Sequence, residues 1–198
     1  MKSIEEVKKI INTLYSDIEG YKLYTQAKVK NHKEYKNLIY GEIPVTVLKD
    51  IFEEASCTEG IFYDLGSGTG KLVLAANMLC NFSRCIGIEI LDELHKVAVE
   101  KGTEYEKTLD DSERGKIEFI KGDFLKHNFS DADLIVAGLP SQDPKVLDNL
   151  EKKFEELRSG IKIVTIIGFL KTDKVKEIKN KKYDFPWGKS TAYFYEKK

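Results

Sequence analysis

The run Ile61-Phe62-Tyr63-Asp64-Leu65-Gly66-Ser67-Gly68-Thr69-Gly70-Lys71-Leu72-Val73 constrains the fold more than any other stretch of the chain. An apolar, β-rich segment passes through closely spaced glycines straight into a second apolar segment. A passage of this kind, strand to glycine turn to helix, lets a ligand approach the backbone at a helix N-terminus. The dinucleotide-binding version reads G-x-G-x-x-G, whereas here the order is G-x-G-x-G and Lys71 occupies the place of the third glycine. There is no G-x-x-x-x-G-K-[ST], so a phosphate-cradling P-loop is not expected. Taken alone, a glycine-rich turn is most often just a turn.

The segments beyond the turn give it a larger context. From residue 61 on, short apolar runs alternate with longer amphipathic stretches, at 61–65, 72–80, 85–90, 91–105, 117–121, 134–137, 146–157 and 161–166. That β-α-β-α order predicts an α/β fold with a doubly wound, mainly parallel sheet covered by helices on both faces. Beyond it, the lysine-rich stretch 172–179 reads as a helix. Residues 183–187 and an alternating strand at 191–195 come next, a tail that could return antiparallel to the sheet. Upstream, Ile4, Val7, Ile10, Ile11, Leu14, Tyr15 and Ile18 recur at helical spacing behind a Ser3/Glu6 capping box, predicting a helical arm from residue 3 to about 30. A second helix is expected after Pro44, through Val47, Leu48, Ile51 and Phe52, ending before Gly60. A length of 198 residues suits one domain with a helical extension, divided as an arm and lid-like loop over 1–56 and a core over 57–198.

Composition narrows the function classes. Lys and Arg number 32 against 33 Asp and Glu, so no overall field favours nucleic acid or an acidic membrane. Cys57, Cys80 and Cys85 form no C-x-x-C and no Cys/His cluster, which predicts no metal site and a reducing compartment. The first residues lack the apolar stretch of a signal peptide, and no run approaches the roughly 18 apolar residues of a membrane span. A soluble intracellular protein, cytoplasmic or nuclear, is expected.

Carboxylates at strand ends point to the ligand. Asp64 beside the glycine turn would repel a pyrophosphate but can accept hydrogen bonds from an ammonium. S-adenosyl-L-methionine carries such an ammonium and a positive sulfonium as well. Glu89, nineteen residues after Gly70, ends the next strand, where an acidic residue would bind ribose hydroxyls. Asp123 follows the third strand, where it can accept from an adenine amino group with Phe124 near the ring. Either Glu89 or Asp123 taken singly would sooner be a solvated cap. In this order and spacing they favour S-adenosylmethionine over a nicotinamide dinucleotide, the ligand of the rival dehydrogenase reading.

With these residues in place the chain resembles class I methyltransferases, whose first motif is matched by Asp64, Gly66, Ser67, Gly68, Thr69 and Gly70. More narrowly, Tyr40-Gly41-Glu42, Gly122-Asp123-Phe124-Leu125, and Trp187-Gly188-Lys189 ahead of Tyr193-Phe194-Tyr195 are similar to the catalytic domain of the disruptor-of-telomeric-silencing lysine methyltransferases, over about residues 38–196. The resemblance implies a seven-stranded sheet, a cofactor site built from Tyr40, Glu42, the glycine turn, Lys71, Glu89, Asp123 and Phe124, and a lysine channel lined by Trp187 and Tyr193. It also implies transfer of methyl to a protein lysine, with S-adenosyl-L-homocysteine as product. One departure stands out: where that family has an Asn-rich turn after the fourth strand, this chain has Val136-Ala137-Gly138-Leu139-Pro140-Ser141. That turn looks more like the Gly-x-Pro of the small lysine methyltransferases that modify the ATP synthase membrane ring.

The expected chemistry is in-line displacement by a neutral amine, held collinear with carbon and sulfur by the backbone at Gly138, Leu139 and Pro140. No Asn/Asp-Pro-Pro-Tyr/Phe/Trp follows the fourth strand and no cysteine sits beside a proline, so base-amino and covalent cytosine methylation are not expected. The alternatives are an RNA or small-molecule methyltransferase, or a non-catalytic cofactor-binding subunit. Lysines gather at 28, 30, 33 and 36 and at 171, 174, 176, 179, 181 and 182. Such runs are usually solvated faces; the alternative is docking of an acidic protein surface or nucleic acid, and neither run is interleaved with the aromatics that base stacking needs.

Overall fold

The computed structural model describes residues 1–30, 38–110, 116–138, 144–166 and 168–198. Seven strands form a sheet in the order β3-β2-β1-β4-β5-β7-β6. Strands β1 (Glu59–Leu65), β2 (Asn81–Glu89), β3 (Ile117–Lys121), β4 (Leu134–Ala137) and β5 (Lys162–Ile166) run parallel. Successive strands step outward from β1 to β3, and the chain then crosses back to place β4 on β1's other side. The switch point therefore lies between β1 and β4, and in open α/β sheets the ligand crevice opens at the carboxyl ends there. Both faces of these strands are covered. All four residues of β4 are buried, which is why it reads as a continuous apolar run with no alternation.

One face carries α1 (Ile4–Leu14), α3 (Val45–Ala55) and α4 (Lys71–Leu79), and the other carries α6 (Pro144–Glu155). In α1 the capping box forms: the Ser3 amide donates to Glu6 Oε2 at 2.8 Å and the Glu6 amide to Ser3 Oγ at 3.3 Å, satisfying two otherwise orphan donors. Its apolar face, Val7, Ile11 and Leu14, is buried in the same core as α3 and α4. Phe52 of α3 meets Phe62 and Phe82 edge-on, with ring centroids 5.5 and 5.7 Å apart, which locks this helix to β1 and β2. The expected single arm from 3 to 30 is instead two helices, α1 and α2 (Gly20–Lys30), separated after Leu14.

The lysine-rich helix expected at 172–179 is not formed. That stretch enters β6 (Val175–Phe185), which pairs antiparallel with β7 (Gly188–Lys197), itself antiparallel to β5. Burial alternates strictly from Val175 to Phe185, but the half-buried positions 177, 179 and 181 are Glu, Lys and Lys, so no apolar alternation announces the strand. A bulge between Glu177 and Lys179 lets Val175 pack in the α6-side core and Tyr183 and Phe185 in the opposite one. The lysines find partners: Lys179 donates to Glu54 at 2.5 Å, and Lys181 to Asp50 and Glu54 at 2.7 and 2.9 Å. All three cysteines are free thiols. Among the described residues no helix is long and apolar enough to cross a membrane.

Candidate cofactor site

A cavity of about 320 Å³ opens at the carboxyl ends of β1 and β2, in the range of small-molecule sites. Its floor is the glycine turn. Gly66, Gly68 and Gly70 have φ of +89, +55 and +84, a left-handed conformation that side-chain-bearing residues adopt only at a cost. At Gly66 an added Cβ would meet nothing within 4 Å, so the bare backbone faces open space. Gly70 does not line the cavity; a Cβ there would come within 2.7 Å of the Phe119 ring, so it lets α4 seat against β3. Ser67 lines the cavity, and its buried hydroxyl has no hydrogen-bond partner among the described residues.

Two buried carboxylates stand at the strand ends. Asp64, the penultimate residue of β1, is 5% exposed, and burial, reinforced by the Glu89 charge, pushes its pKa up to about 8. Glu89 ends β2. Its carboxylate accepts the Gly68 and Leu91 amides, both at 2.7 Å, so it braces the turn into α5 (Asp92–Glu106) as well as facing the cavity. Burial raises its pKa too, partly offset by those two amides.

The segment before α3 closes one side. Tyr40 lies over the turn, stacked on Tyr24 at 5.8 Å, and its hydroxyl donates to Glu42. Glu42 also accepts from the Thr69 hydroxyl at 3.3 Å and forms an ion pair with Lys71 at 2.6 Å. Lys71 in turn sits 4.9 Å above the Tyr15 ring, whose hydroxyl donates to the Thr69 carbonyl at 2.8 Å. Tyr15, in sequence only one more apolar position of the arm, thus joins the arm to the glycine turn. From the far end of the fold, Trp187 covers Gly41: a Cβ on that glycine would fall 2.5 Å from the indole. The indole stacks on Phe185 at 4.6 Å and donates to Ser190 Oγ at 3.0 Å.

Of the residues expected at the site, Tyr40, Glu42, Asp64, Gly66, Ser67, Gly68, Thr69, Lys71, Glu89, Phe124, Gly138 and Trp187 line this one cavity. Asp123 does not line it; its carboxylate accepts the Leu125 amide at 2.9 Å, capping the short turn that presents Phe124. Tyr193, opposite Thr165 in β5, lies against Phe169 at 5.6 Å, away from the lining residues. Leu139 and Pro140 lie outside the described residues. Sequence reasoning missed the apolar wall made by Leu38, Ile39, Leu91 and Leu94. Leu91 and Leu94 come just after Glu89 and could have been found as the apolar side of a nucleoside bed. No group of three or more His, Cys, Asp or Glu side chains that could hold a metal ion occurs among the described residues.

These walls suit a nucleoside bearing a cationic amino-acid moiety: apolar surface for a ring, buried carboxylates for positive charge and hydroxyls, and an exposed glycine backbone. A family model described as histone methylation protein DOT1 matches residues 21–192. The chain is 28% identical over 181 residues to an H3 lysine-79-specific histone-lysine N-methyltransferase of Eremothecium gossypii, covering 82% of this chain and 31% of that protein. To the protein of the same description in Gibberella zeae it is 27% identical over 170 residues, covering 81% and 34%. The chain therefore spans about a third of the length of these curated relatives. Among solved structures, an RNA methyltransferase of Salinibacter ruber in complex with S-adenosyl-L-homocysteine superposes with a TM-score of 0.60 at 26% identity, over 78% of this chain and 92% of that one. The B. subtilis tRNA methyltransferase TrmK shares the fold alone, with a TM-score of 0.61 at 14% identity over 81% and 68%.

Proposed function

The chain belongs to the histone methylation protein DOT1 family, and from that premise we propose that it is an S-adenosylmethionine-dependent methyltransferase acting on a lysine side chain of a protein. The observation that carries the reading is the gathering of Glu42, Asp64 and Glu89 on the wall of one cavity at the sheet's switch point. Bound there, S-adenosylmethionine supplies an electrophilic methyl on a sulfonium. Asp64 is the acceptor for its ammonium, Glu89 the acceptor for ribose hydroxyls, and Phe124 the apolar contact for the base. Residues 1–56 act as arm and lid over the 57–198 core, a division supported by Tyr15 and Tyr40 reaching the glycine turn.

The chain's own part in the chemistry is positioning and desolvation. An incoming lysine has to arrive neutral, and an aromatic entrance near positive charge favours loss of its proton. Trp187, half-exposed beside Gly41, is placed to wall such an entrance. Gly138, at the end of β4 and on the cavity wall, starts the turn proposed to orient the amine, with Leu139 and Pro140 next in sequence. Tyr193, in β7 of the same hairpin as Trp187, is the second aromatic of the acceptor channel. Asp123, which caps the turn presenting Phe124, is the acceptor for the adenine amino group.

The likeness to an RNA methyltransferase at 26% identity supports a second reading, an RNA acceptor on the same site. Methyl transfer from radiolabelled S-adenosylmethionine into cell extract decides between them. Label lost on protease treatment and kept on nuclease treatment is expected. The reverse pattern replaces the lysine reading with the RNA one, and no binding of S-adenosylhomocysteine in calorimetry ends both.

A further inference from the structure

Helix α1 is tied to α4 at both of its ends. Just ahead of α1, the Lys2 amide donates to the Met78 carbonyl at 2.8 Å, satisfying one of the carbonyls left open at the end of α4. At the other end, the Tyr15 hydroxyl donates to the Thr69 carbonyl at 2.8 Å. Tyr15 caps α1, its own amide bonded to the Ile11 carbonyl at 3.0 Å, so the ring leaves the backbone from a fixed point. Burial, reinforced by the Glu42 charge, holds its hydroxyl far above the usual phenol pKa and keeps it a donor. The Thr69 carbonyl needs that donor. Thr69 is 2% exposed, and α4 begins its own bonds one residue later, with the Leu74 amide donating to the Gly70 carbonyl. On the amide side of the same peptide, Gly70 donates to the Ser67 carbonyl at 2.9 Å. One peptide is thus held from both sides, in a turn whose Gly68 and Gly70, at φ of +55 and +84, leave the backbone otherwise least restrained.

Tyr15 and the whole of α1 precede residues 21–192, the stretch that matches the family, so this tether comes from outside it. Resting on the cofactor reading above, we propose that Tyr15 is a positioning residue for the cofactor: its hydroxyl, carried by α1 and fastened to α4, holds the glycine turn in the conformation that a ligand enters. Tyr15 itself does not line the cavity, so its effect passes through the turn. Packing alone would be served by phenylalanine, as at Phe52 and Phe62 of the same core. Without the hydroxyl, a buried carbonyl loses its donor and the peptide is released toward other partners. Affinity then falls in proportion to the fraction of molecules that keep the turn in place.

The test sets Tyr15→Phe, which keeps the ring beneath Lys71, against Val7→Ala, which removes buried packing from the same helix. In calorimetric titration with S-adenosylhomocysteine, Tyr15→Phe should bind about five- to tenfold more weakly than the unaltered chain, the range of one buried hydrogen bond. Val7→Ala should lower the melting temperature at least as far, yet bind within about twofold of the unaltered chain. In ligand-free protein, the Gly70 amide should exchange its hydrogen faster in Tyr15→Phe than in Val7→Ala. Equal weakening by both variants, or affinity in Tyr15→Phe within about twofold of the unaltered chain, overturns the proposal and leaves Tyr15 a packing residue. An unaltered chain that binds no S-adenosylhomocysteine removes the cofactor reading instead, and the exchange measurement, which needs no ligand, still shows whether Tyr15 holds the turn.

Discussion

Two clusters of charge in this molecule carry the same kinds of residue and point in opposite directions. At the outer edge, Asp50 and Glu54 of α3 face Lys179 and Lys181 of β6, and each acid is held below the usual carboxylate range by the lysines that donate to it. In the cavity, Asp64 and Glu89 are held above that range, chiefly by burial. The edge cluster is complete as folded, whereas in the cavity Lys71 is paired with Glu42 and no ion pair is formed by Asp64 or Glu89 among the described residues. A carboxyl buried at the expense of its charged form, next to another, is poor design for stability and good design for receiving a cation.

The sharpest way to break this contrast is to neutralise the inner acids. Asp64→Ala and Glu89→Ala should each weaken S-adenosylhomocysteine binding by about ten- to hundredfold, the worth of a charge-assisted contact of about 1.5–3 kcal/mol. Titration calorimetry showing unchanged affinity in both variants would remove the site. A second, smaller effect concerns stability. Asp64 binds its proton more tightly folded than at the unfolded value of 3.8, so the stability it lends is full below about pH 4 and lost as the pH rises through about 8. Without ligand, Asp64→Asn should therefore melt at or above the unaltered chain at pH 8.5, by about 3–5 °C for each pKa unit of the shift removed, a unit being about 1.4 kcal/mol. Lower melting at every pH would make Asp64 a structural pillar and dissolve the distinction between the clusters. Affinity, for its part, should tighten from pH 6 toward pH 8 as Asp64 ionises more readily, with a slope of at most about tenfold per unit for one released proton. A flat profile would show that no proton leaves on binding. Smallest of all, Glu54→Ala at the exposed edge should shift the melting temperature only marginally and leave ligand affinity where it was, since pairs at the surface contribute little.

The contrast also explains what could be read from the chain directly. The parallel strands, α4 and the inner acids follow from local patterns: apolar runs, positive-φ glycines and carboxylates at strand ends. Their chemistry is written within a few residues of where it acts. The edge is different. Lys179 and Lys181 sit in a strand paired with β7 and meet acids 125 and 131 residues distant, so half-buried positions that a local pattern would show as apolar carry charge instead. Tyr15 and Trp187 were legible as apolar positions but not as neighbours of the turn, for the same reason. Asp123 and Tyr193 show the converse: motif context assigns them to the site, and in the structure Asp123 caps the turn that presents Phe124 while Tyr193 lies against Phe169.

Strand β7 lies between β5 and β6, so β6 reaches the sheet only through the strand that comes after it in the chain. Trp187 sits in the turn joining the two, beyond the pair formed by Phe185 and Gly188. That hairpin closes on its own short turn and joins the sheet along the seam between β5 and β7, with Tyr183, Phe185, Ala192 and Phe194 packed in one core, Val175 and Tyr195 in the other, and lysine bridges to α3. Asp64, Glu89, Leu91 and Phe124 all lie on the other side of the seam, in or beside β1 to β3. Trp187 is thus carried to the cavity by the antiparallel part of the sheet, while the proposed bed for the nucleoside is carried by the parallel part.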